Sequence, residues 1–94
     1  MKAAEMLIAT VELIGGHRAE DYGDKLVNHE RIAALWNMWL RERNLNDKIE
    51  AYDVAMMMML VKIARLMNSP GHQDSHIDIA GYASILEEIA NGEC

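Results

Sequence analysis

The sequence contains no phenylalanine, one proline and one cysteine among its 94 residues. Scarce proline and abundant unbranched side chains, including eight methionines, favour helices over strands and turn-rich folds. Because Cys94 is the one thiol of the sequence, an intrachain disulfide and a thiolate metal site are both excluded. We therefore expect a helical protein that works in a reducing, intracellular setting.

Positive charge is also in short supply, because nine Lys and Arg residues face fifteen Asp and Glu residues, for a net charge of −6. This balance excludes broad electrostatic binding to nucleic acid polymers and to anionic membranes. The apolar run Val54–Val61 has eight residues, well short of the roughly 20 that span a bilayer. Since Glu5 and Glu12 interrupt the apolar stretch at the N-terminus, we expect no export signal and a cytoplasmic location.

Four segments have the apolar spacing of amphipathic helices, and no segment of useful length alternates as a strand does. The predicted helices cover about residues 3–14, 28–43, 47–67 and 74–90. Asp47 and Glu50 form a capping box at the start of the third, and Asn68–Gly71 ends it. The sequence thus predicts a single all-α domain over residues 1–94, arranged as a compact four-helix bundle.

The third predicted helix is apolar on every side between Val54 and Met67, with Lys62 and Arg65 as its charges. A helix of this kind must be covered on most of its surface. Three other short helices cover only part of it, so we expect a homodimer or higher oligomer to complete the bundle. A central core helix within a monomer is the alternative.

Charged residues gather where the third and fourth predicted helices meet. Lys62 and Arg65 lie one turn apart near the end of the third helix, and Asp74 and Asp78 open the fourth. A six-residue loop makes the two helices antiparallel neighbours and brings the four charges together. Since desolvation offsets most of the Coulomb gain of a buried ion pair, such a group favours a ligand, namely a phosphate, a carboxylate or a metal ion. A structural ion-pair network is the alternative.

A second acidic motif opens the third predicted helix. Glu50 and Asp53 form E-x-x-D and share one helix face, which suits oxygen coordination of Mg²⁺. The same pair is also typical of a helix cap. No Gly-rich phosphate loop and no Ser/His/Asp or Cys/His set is present, so no catalytic residue is assigned.

Four sequence blocks occur in a characteristic order. They are R-A-E-D-Y-G at 18–23, N-H-E-R-I-A-A-L-W at 28–36, D-V-A-M-M-M-M-L-V-K-I-A-R at 53–65 and H-Q-D-S-H-I-D-I-A-G-Y-A at 72–83. The order resembles a family of small, uncharacterised phage and prophage helical proteins. It is more distantly similar to the all-α NTP pyrophosphohydrolases of the MazG type, in which E-x-x-E and E-x-x-D hold Mg²⁺ against nucleotide phosphates. Only Glu50-x-x-Asp53 matches those acidic motifs here.

The resemblance implies a ligand site built from residues of the four blocks. These residues are Arg18, Tyr22, Asn28, Arg31, Trp36, Lys62, Arg65, Asp74, Asp78 and Tyr82. Their cations would hold phosphate and their aromatic rings would stack on a base or line the pocket. Their carboxylates, together with Asp53, would hold ribose hydroxyls or Mg²⁺.

Three functions follow as hypotheses from the polar group and the resemblance. The first is a phage protein of the host cytoplasm that binds a nucleotide or nucleotide-derived signal near an oligomer interface and sequesters it against host defence. The second is a Mg²⁺-dependent nucleotide pyrophosphohydrolase. The third is a protein-interaction module whose acidic surface inhibits a host factor.

Overall fold

A computed structural model of the chain describes Ala4, residues 24–45 and residues 48–92. These residues form three α-helices and no strand: α1 (Lys25–Arg43), α2 (Ala51–Asn68) and α3 (Gln73–Ala90). They correspond to the second, third and fourth predicted helices, so the all-α class is confirmed. The first predicted helix lies outside the described residues except for Ala4, and the four-helix bundle therefore stays a prediction.

Helix α1 starts three residues before the predicted position because of its N-terminal cap. The side chain of Asp24 accepts a hydrogen bond from the Val27 backbone N–H at 3.0 Å, which satisfies one of the free donors of the first turn. At the other end, Asn44 adopts the left-handed conformation with φ 52° and closes the helix. Both ends of α1 are thus fixed by residues whose side chains suit those positions.

Helix α2 starts later than the predicted Asp47, a residue outside the described ranges. Its N-cap is Glu50, and the capping box of α2 joins Glu50 to Asp53. Asp53 Oδ2 accepts from the Glu50 backbone N–H at 3.1 Å. The observed capping box lies three residues after the predicted one, because the sequence has two acidic pairs with the same spacing, Asp47/Glu50 and Glu50/Asp53.

The apolar helix α2 lies between the other two helices and packs against both. Of the five buried apolar residues in the described part of the chain, four belong to α2, namely Ala55, Met57, Leu60 and Ala64. This central position accounts for most of the apolar surface of α2. Val54 and Met67 nevertheless keep about half of their surface exposed. None of the three described helices combines the length and apolarity of a membrane span.

Candidate functional site

Two tryptophans of α1 fix its register against α2. Trp36 Nε1 donates to the Met57 carbonyl oxygen at 2.8 Å, and Trp39 Nε1 donates to Asp53 Oδ1 at 3.0 Å. The donors Trp36 and Trp39 follow one another along α1, whereas their acceptors Met57 and Asp53 follow in the reverse order along α2. The two helices are antiparallel, and each indole N–H finds an acceptor as buried indoles usually do.

The first polar group, which we call the Asp53 cluster, comprises Trp39, Arg43, Glu50, Tyr52 and Asp53. Asp53 is wholly buried, and both of its oxygens accept hydrogen bonds. Oδ1 accepts from Arg43 Nε at 2.9 Å as well as from Trp39, and Oδ2 accepts from the Glu50 backbone. The Asp53 cluster therefore joins the end of α1 to the beginning of α2.

The environment of Asp53 favours its ionised form. The hydrogen bond from Arg43 lowers the pKa of the Asp53 carboxyl, and the donors of Glu50 and Trp39 lower it further, whereas burial acts in the opposite direction. The same hydrogen bond raises the pKa of Arg43. The Arg43 guanidinium also lies 5.8 Å from the centre of the Trp39 ring, in cation–π range. The Asp53 cluster thus contains an ion pair between Arg43 and Asp53 that lies beside the Trp39 ring.

This geometry bears on the predicted Mg²⁺ ligands Glu50 and Asp53. Glu50 is exposed at the N-cap, while both Asp53 oxygens face donors of the protein. Within the described residues, no group of three or more His, Cys, Asp or Glu side chains could hold a metal ion. The arrangement of Asp53 is that of a helix-joining carboxylate, and the Mg²⁺ site stays a prediction.

The second polar group lies nearer the other end of α2, where α3 packs against it. Lys62 Nζ lies 3.2 Å from Asp78 Oδ2, and only 17% of the Lys62 side chain is exposed. The helical hairpin therefore brings Lys62 and Asp78 together, as the loop length predicts. Since α2 and α3 are antiparallel, Ser75, three residues before Asp78, lies level with Arg65, three residues after Lys62.

Helix α1 reaches the same level of α2 through Asn28. Asn28 precedes Trp36 by eight residues and Arg65 follows Met57 by eight, so the antiparallel register sets Asn28 about level with Arg65. On a helix of 3.6 residues per turn, Arg65 points about 80° away from Met57 and about 60° away from Lys62. Arg65 therefore lies on the side of α2 between its contacts with α1 and with α3.

We call the polar residues of the three helices that lie within about one turn of this level the polar layer. Its members are the buried residues Asn28, Arg65 and Ser75 and the partly buried residues Arg31, Lys62 and Asp78. It contains three cations and one carboxylate. The Ser75 hydroxyl lies 2.9 Å from His72 Nδ1, which caps α3. Among the described residues, no carboxylate forms an ion pair with Arg31, and no group donates to the buried Asn28 Oδ1.

The remaining predicted site residues are divided among several places. Asp74 is exposed in the first turn of α3, and Tyr82 is partly buried one turn after Asp78. Trp36 belongs to the α1–α2 contact through its bond to Met57. Arg18 and Tyr22 lie outside the described residues. The structure thus pairs Lys62 with Asp78, while Arg65 lies one turn further along α2 and Asn28 and Arg31 lie on α1. The role of these residues in binding stays a prediction.

Four residues of these groups are not among the site residues predicted from the sequence, namely Trp39, Arg43, Tyr52 and Ser75. Arg43 is ten residues from Asp53 and resembles an ordinary cation of a last helical turn. Trp39 was recognised only as part of an apolar stripe. Ser75 had a usable signal, because it precedes Asp78 by three residues and shares its helix face.

The chain is similar in sequence to one protein family and to proteins of two phages. Residues 5–90 match the family model described as "Domain of unknown function (DUF6378)". The chain is 49% identical over 84 residues to the "Gene 55 protein" of Mycobacterium phage L5, covering 89% of the chain and 51% of that protein. It is 42% identical over 77 residues to the "Gene 55 protein" of Mycobacterium phage D29, covering 82% and 48%. The chain therefore spans about half the length of these relatives. No solved structure matches it.

Proposed function

This chain belongs to the DUF6378 family, which has members in phages, and from that premise we propose that it binds a nucleotide or nucleotide-derived signalling molecule. Its binding group is the polar layer. In an infected host cell the protein would act in the cytoplasm by sequestering this molecule and so counter host defence. The MazG-like resemblance supports the same class of ligand.

The observation that carries the proposal is the burial of two cations, Lys62 and Arg65, in the polar layer. Arg65 is 7% exposed and the Lys62 side chain is 17% exposed, and Arg31 on α1 is partly buried. Moving a cation from water into the protein interior costs roughly several kcal/mol, unless a nearby anion or hydrogen-bond acceptor offsets that cost. One carboxylate, Asp78, is a member of this layer and pairs with Lys62. A phosphate bound there would add negative charge close to Lys62 and Arg65.

The side chains of the polar layer differ in what they offer a phosphate. An arginine has five N–H donors in a planar fork, so Arg65 has donors for a phosphate oxygen in addition to a partner within the protein. Lys62 provides a compact charge that Asp78 orients. Tyr82, one turn further along α3, is the nearest aromatic candidate for stacking on a base.

The exposed apolar side chains favour assembly with a second copy of the chain. Val54 and Met67 on α2 and Ile77 and Ile85 on α3 are each 43–59% exposed. We propose that a homo-oligomer covers these side chains and that the ligand lies near this interface. Light scattering after size exclusion is expected to give a multiple of the 10.6 kDa chain mass, whereas a monomer at all concentrations would contradict this part of the proposal.

Ligand capture and release tests the proposed function directly. The purified protein is mixed with cyclic ADP-ribose isomers, cyclic dinucleotides and linear mononucleotides, freed of unbound material, and heated. We expect at least one intact nucleotide in the released fraction by mass spectrometry. Arg65→Gln and Lys62→Gln are each expected to reduce capture by at least about tenfold, as loss of a charge-assisted hydrogen bond requires.

Arg41→Gln is the matched control, because it removes one positive charge from a side chain that is 71% exposed and belongs to the distant end of α1. It should leave capture unchanged. If no nucleotide is captured, or if all three variants behave alike, the proposed function is wrong. Release of a hydrolysed nucleotide in the presence of Mg²⁺ would favour the pyrophosphohydrolase hypothesis over sequestration. Co-purification of a host protein in stoichiometric amount, without nucleotide capture, would favour the interaction module.

A further inference from the structure

The N-terminal cap of α3 is a histidine, His72. Serine, threonine, aspartate and asparagine are the preferred caps, because their side-chain oxygens accept a hydrogen bond throughout the neutral pH range. In this cap the ring atom His72 Nδ1 lies 3.2 Å from the Ser75 backbone nitrogen and 2.9 Å from the Ser75 hydroxyl. Histidine is the side chain that changes its charge near neutral pH, so this cap depends on protonation.

The hydrogen bond from the Ser75 backbone fixes the protonation state of His72. A backbone N–H can only donate, so His72 Nδ1 accepts and carries no proton. The ring is therefore neutral, with its proton on Nε2. An imidazolium has a proton on both nitrogens and cannot accept this bond, although the Ser75 hydroxyl could turn to accept from it.

The Ser75 backbone N–H loses its acceptor when His72 is protonated. It belongs to the first turn of α3, where backbone N–H groups have no acceptor within the helix. Ser75 is wholly buried, so water cannot replace the ring nitrogen. A positive ring at this position also opposes the helix dipole, which favours negative charge at an N-terminus. Protonation of His72 therefore destabilises the first turn of α3 in two ways.

The charged surroundings of His72 belong to α2 and α3, since α1 and α3 make no contact within the described residues. The titratable side chains of the two helices at this end are Asp74, His76, Asp78, Lys62 and Arg65. Asp74 is exposed, so water and salt screen its attraction for a positive ring, and the Asp78 carboxylate pairs with Lys62. The other groups are cations or become cations in acid, and they disfavour a positive ring. The direction of the bond at Nδ1 therefore decides the sign of the effect.

We propose that His72 is a pH-sensitive cap of α3, which closes the first turn of the helix while the ring is neutral and opens it when the ring is protonated. The cap contributes its full stability above about pH 6.5, where histidine is ordinarily neutral, and loses it as the pH falls below that value. Because Ser75 is a member of the polar layer, acid also loosens this layer on its α3 side. The inference concerns the folding of α3 and holds whether or not the polar layer binds a nucleotide.

Nitrogen NMR of the histidine rings tests the protonation state directly. At about pH 7.5, the His72 ring is expected to carry its proton on Nε2. His29 is the internal reference, because its Nδ1 lies 2.6 Å from the Lys25 carbonyl oxygen and must donate, so that its proton lies on Nδ1. A proton on His72 Nδ1 at this pH would overturn the inference.

Thermal unfolding at about pH 7.5 and about pH 5.5 measures the consequence for stability. His72→Asn supplies a preferred cap residue that does not titrate. Between the two pH values, the Tm of the wild-type chain is expected to fall by about 4–8 °C more than the Tm of His72→Asn, the effect of losing one cap in a domain of this size. His72→Ser is the second variant, should asparagine lower Tm at both pH values.

His29→Asn is the matched control, because it removes a histidine whose ring bond to Lys25 survives protonation. Its Tm should fall with pH as the wild-type Tm does. The inference is overturned if both His72 variants keep the wild-type dependence on pH, or if His29→Asn abolishes that dependence. Neither outcome affects nucleotide capture, so this inference and the proposed function fail independently.

Discussion

Replacing Asp53 by asparagine tests the junction between α1 and α2, because the substitution keeps the shape of the side chain and removes its charge. Asp53 Oδ1 accepts from Trp39 Nε1 and Arg43 Nε, and Oδ2 accepts from the Glu50 backbone N–H. An asparagine has one oxygen and one NH₂ group. In either orientation of the amide, its NH₂ group faces a donor of the protein, so at least one hydrogen bond is lost and a donor is left unpaired.

The expected cost follows from the burial of Asp53. Hydrogen bonds to a charged group contribute about 1.5–3 kcal/mol, and breaking a buried ion pair by removing one partner costs about 3–5 kcal/mol. The Arg43 side chain is 40% exposed, so water recovers part of its loss. We therefore expect Asp53→Asn to lower the free energy of unfolding by about 2–3 kcal/mol, which corresponds to a fall in Tm of about 10–20 °C for a domain of this size.

Urea unfolding followed by circular dichroism at the helix band measures this change without relying on Trp39 fluorescence. Glu42→Gln is the control, since Glu42 and its partner Arg41 are each 71% exposed and their pair contributes about 0.5 kcal/mol or less. Arg43→Met should destabilise the wild-type chain more than it destabilises the Asp53→Asn background. A cost for Asp53→Asn no greater than that of the control would refute the assignment of Asp53 as the residue that joins α1 to α2.

Three further predictions follow from individual contacts. Since the pKa of Asp53 is lowered in the folded chain, the stability that its carboxylate contributes is complete above about pH 4 and is lost as the pH falls through the folded pKa. The urea midpoints of the wild-type and Asp53→Asn chains should therefore converge in acid. A gap between them that does not change with pH would contradict this. A Cβ on Gly81 contacts no described neighbour within 4 Å, so Gly81→Ala should stabilise α3 by about 0.5–1 kcal/mol, as seen in thermal unfolding, and a loss would indicate a close contact at this face. Trp36→Phe leaves the Met57 carbonyl without the indole donor and should cost about 1 kcal/mol or more in urea unfolding; an unchanged midpoint would show that this bond does not contribute.

The helices themselves were predictable because their signals are local. The apolar stripe of residues 28–43, the continuous apolar character of 54–61 and the breaking sequence Asn68–Gly71 specify three helices within a few residues of their observed bounds. The starting points were less certain. Asp24 caps α1 from outside its apolar stripe, and two acidic pairs compete for the start of α2. A cap depends on which side chain reaches the first free N–H group, and spacing alone does not decide this.

The candidate site was predictable only where one short loop controls it. The pairing of Lys62 with Asp78 follows from two neighbouring helices and the short connection between them, predicted as six residues and observed as the four between Asn68 and Gln73. The position of Asn28 at the level of Arg65 could not be predicted from a loop, because it depends on the register of α1 along α2. That register is fixed by the two indole hydrogen bonds of Trp36 and Trp39, whose acceptors lie 21 and 14 residues away.

The amino-acid sequence by itself determined the helical class and the excess of acidic over basic residues, because these depend on composition and on spacing within one helix. The tertiary structure decided the roles of the charged residues. It made Asp53 a buried carboxylate with three donors and paired Lys62 with Asp78. The physical reason is that burial and pairing depend on contacts between helices, which are set by packing register and not by the order of residues along the chain.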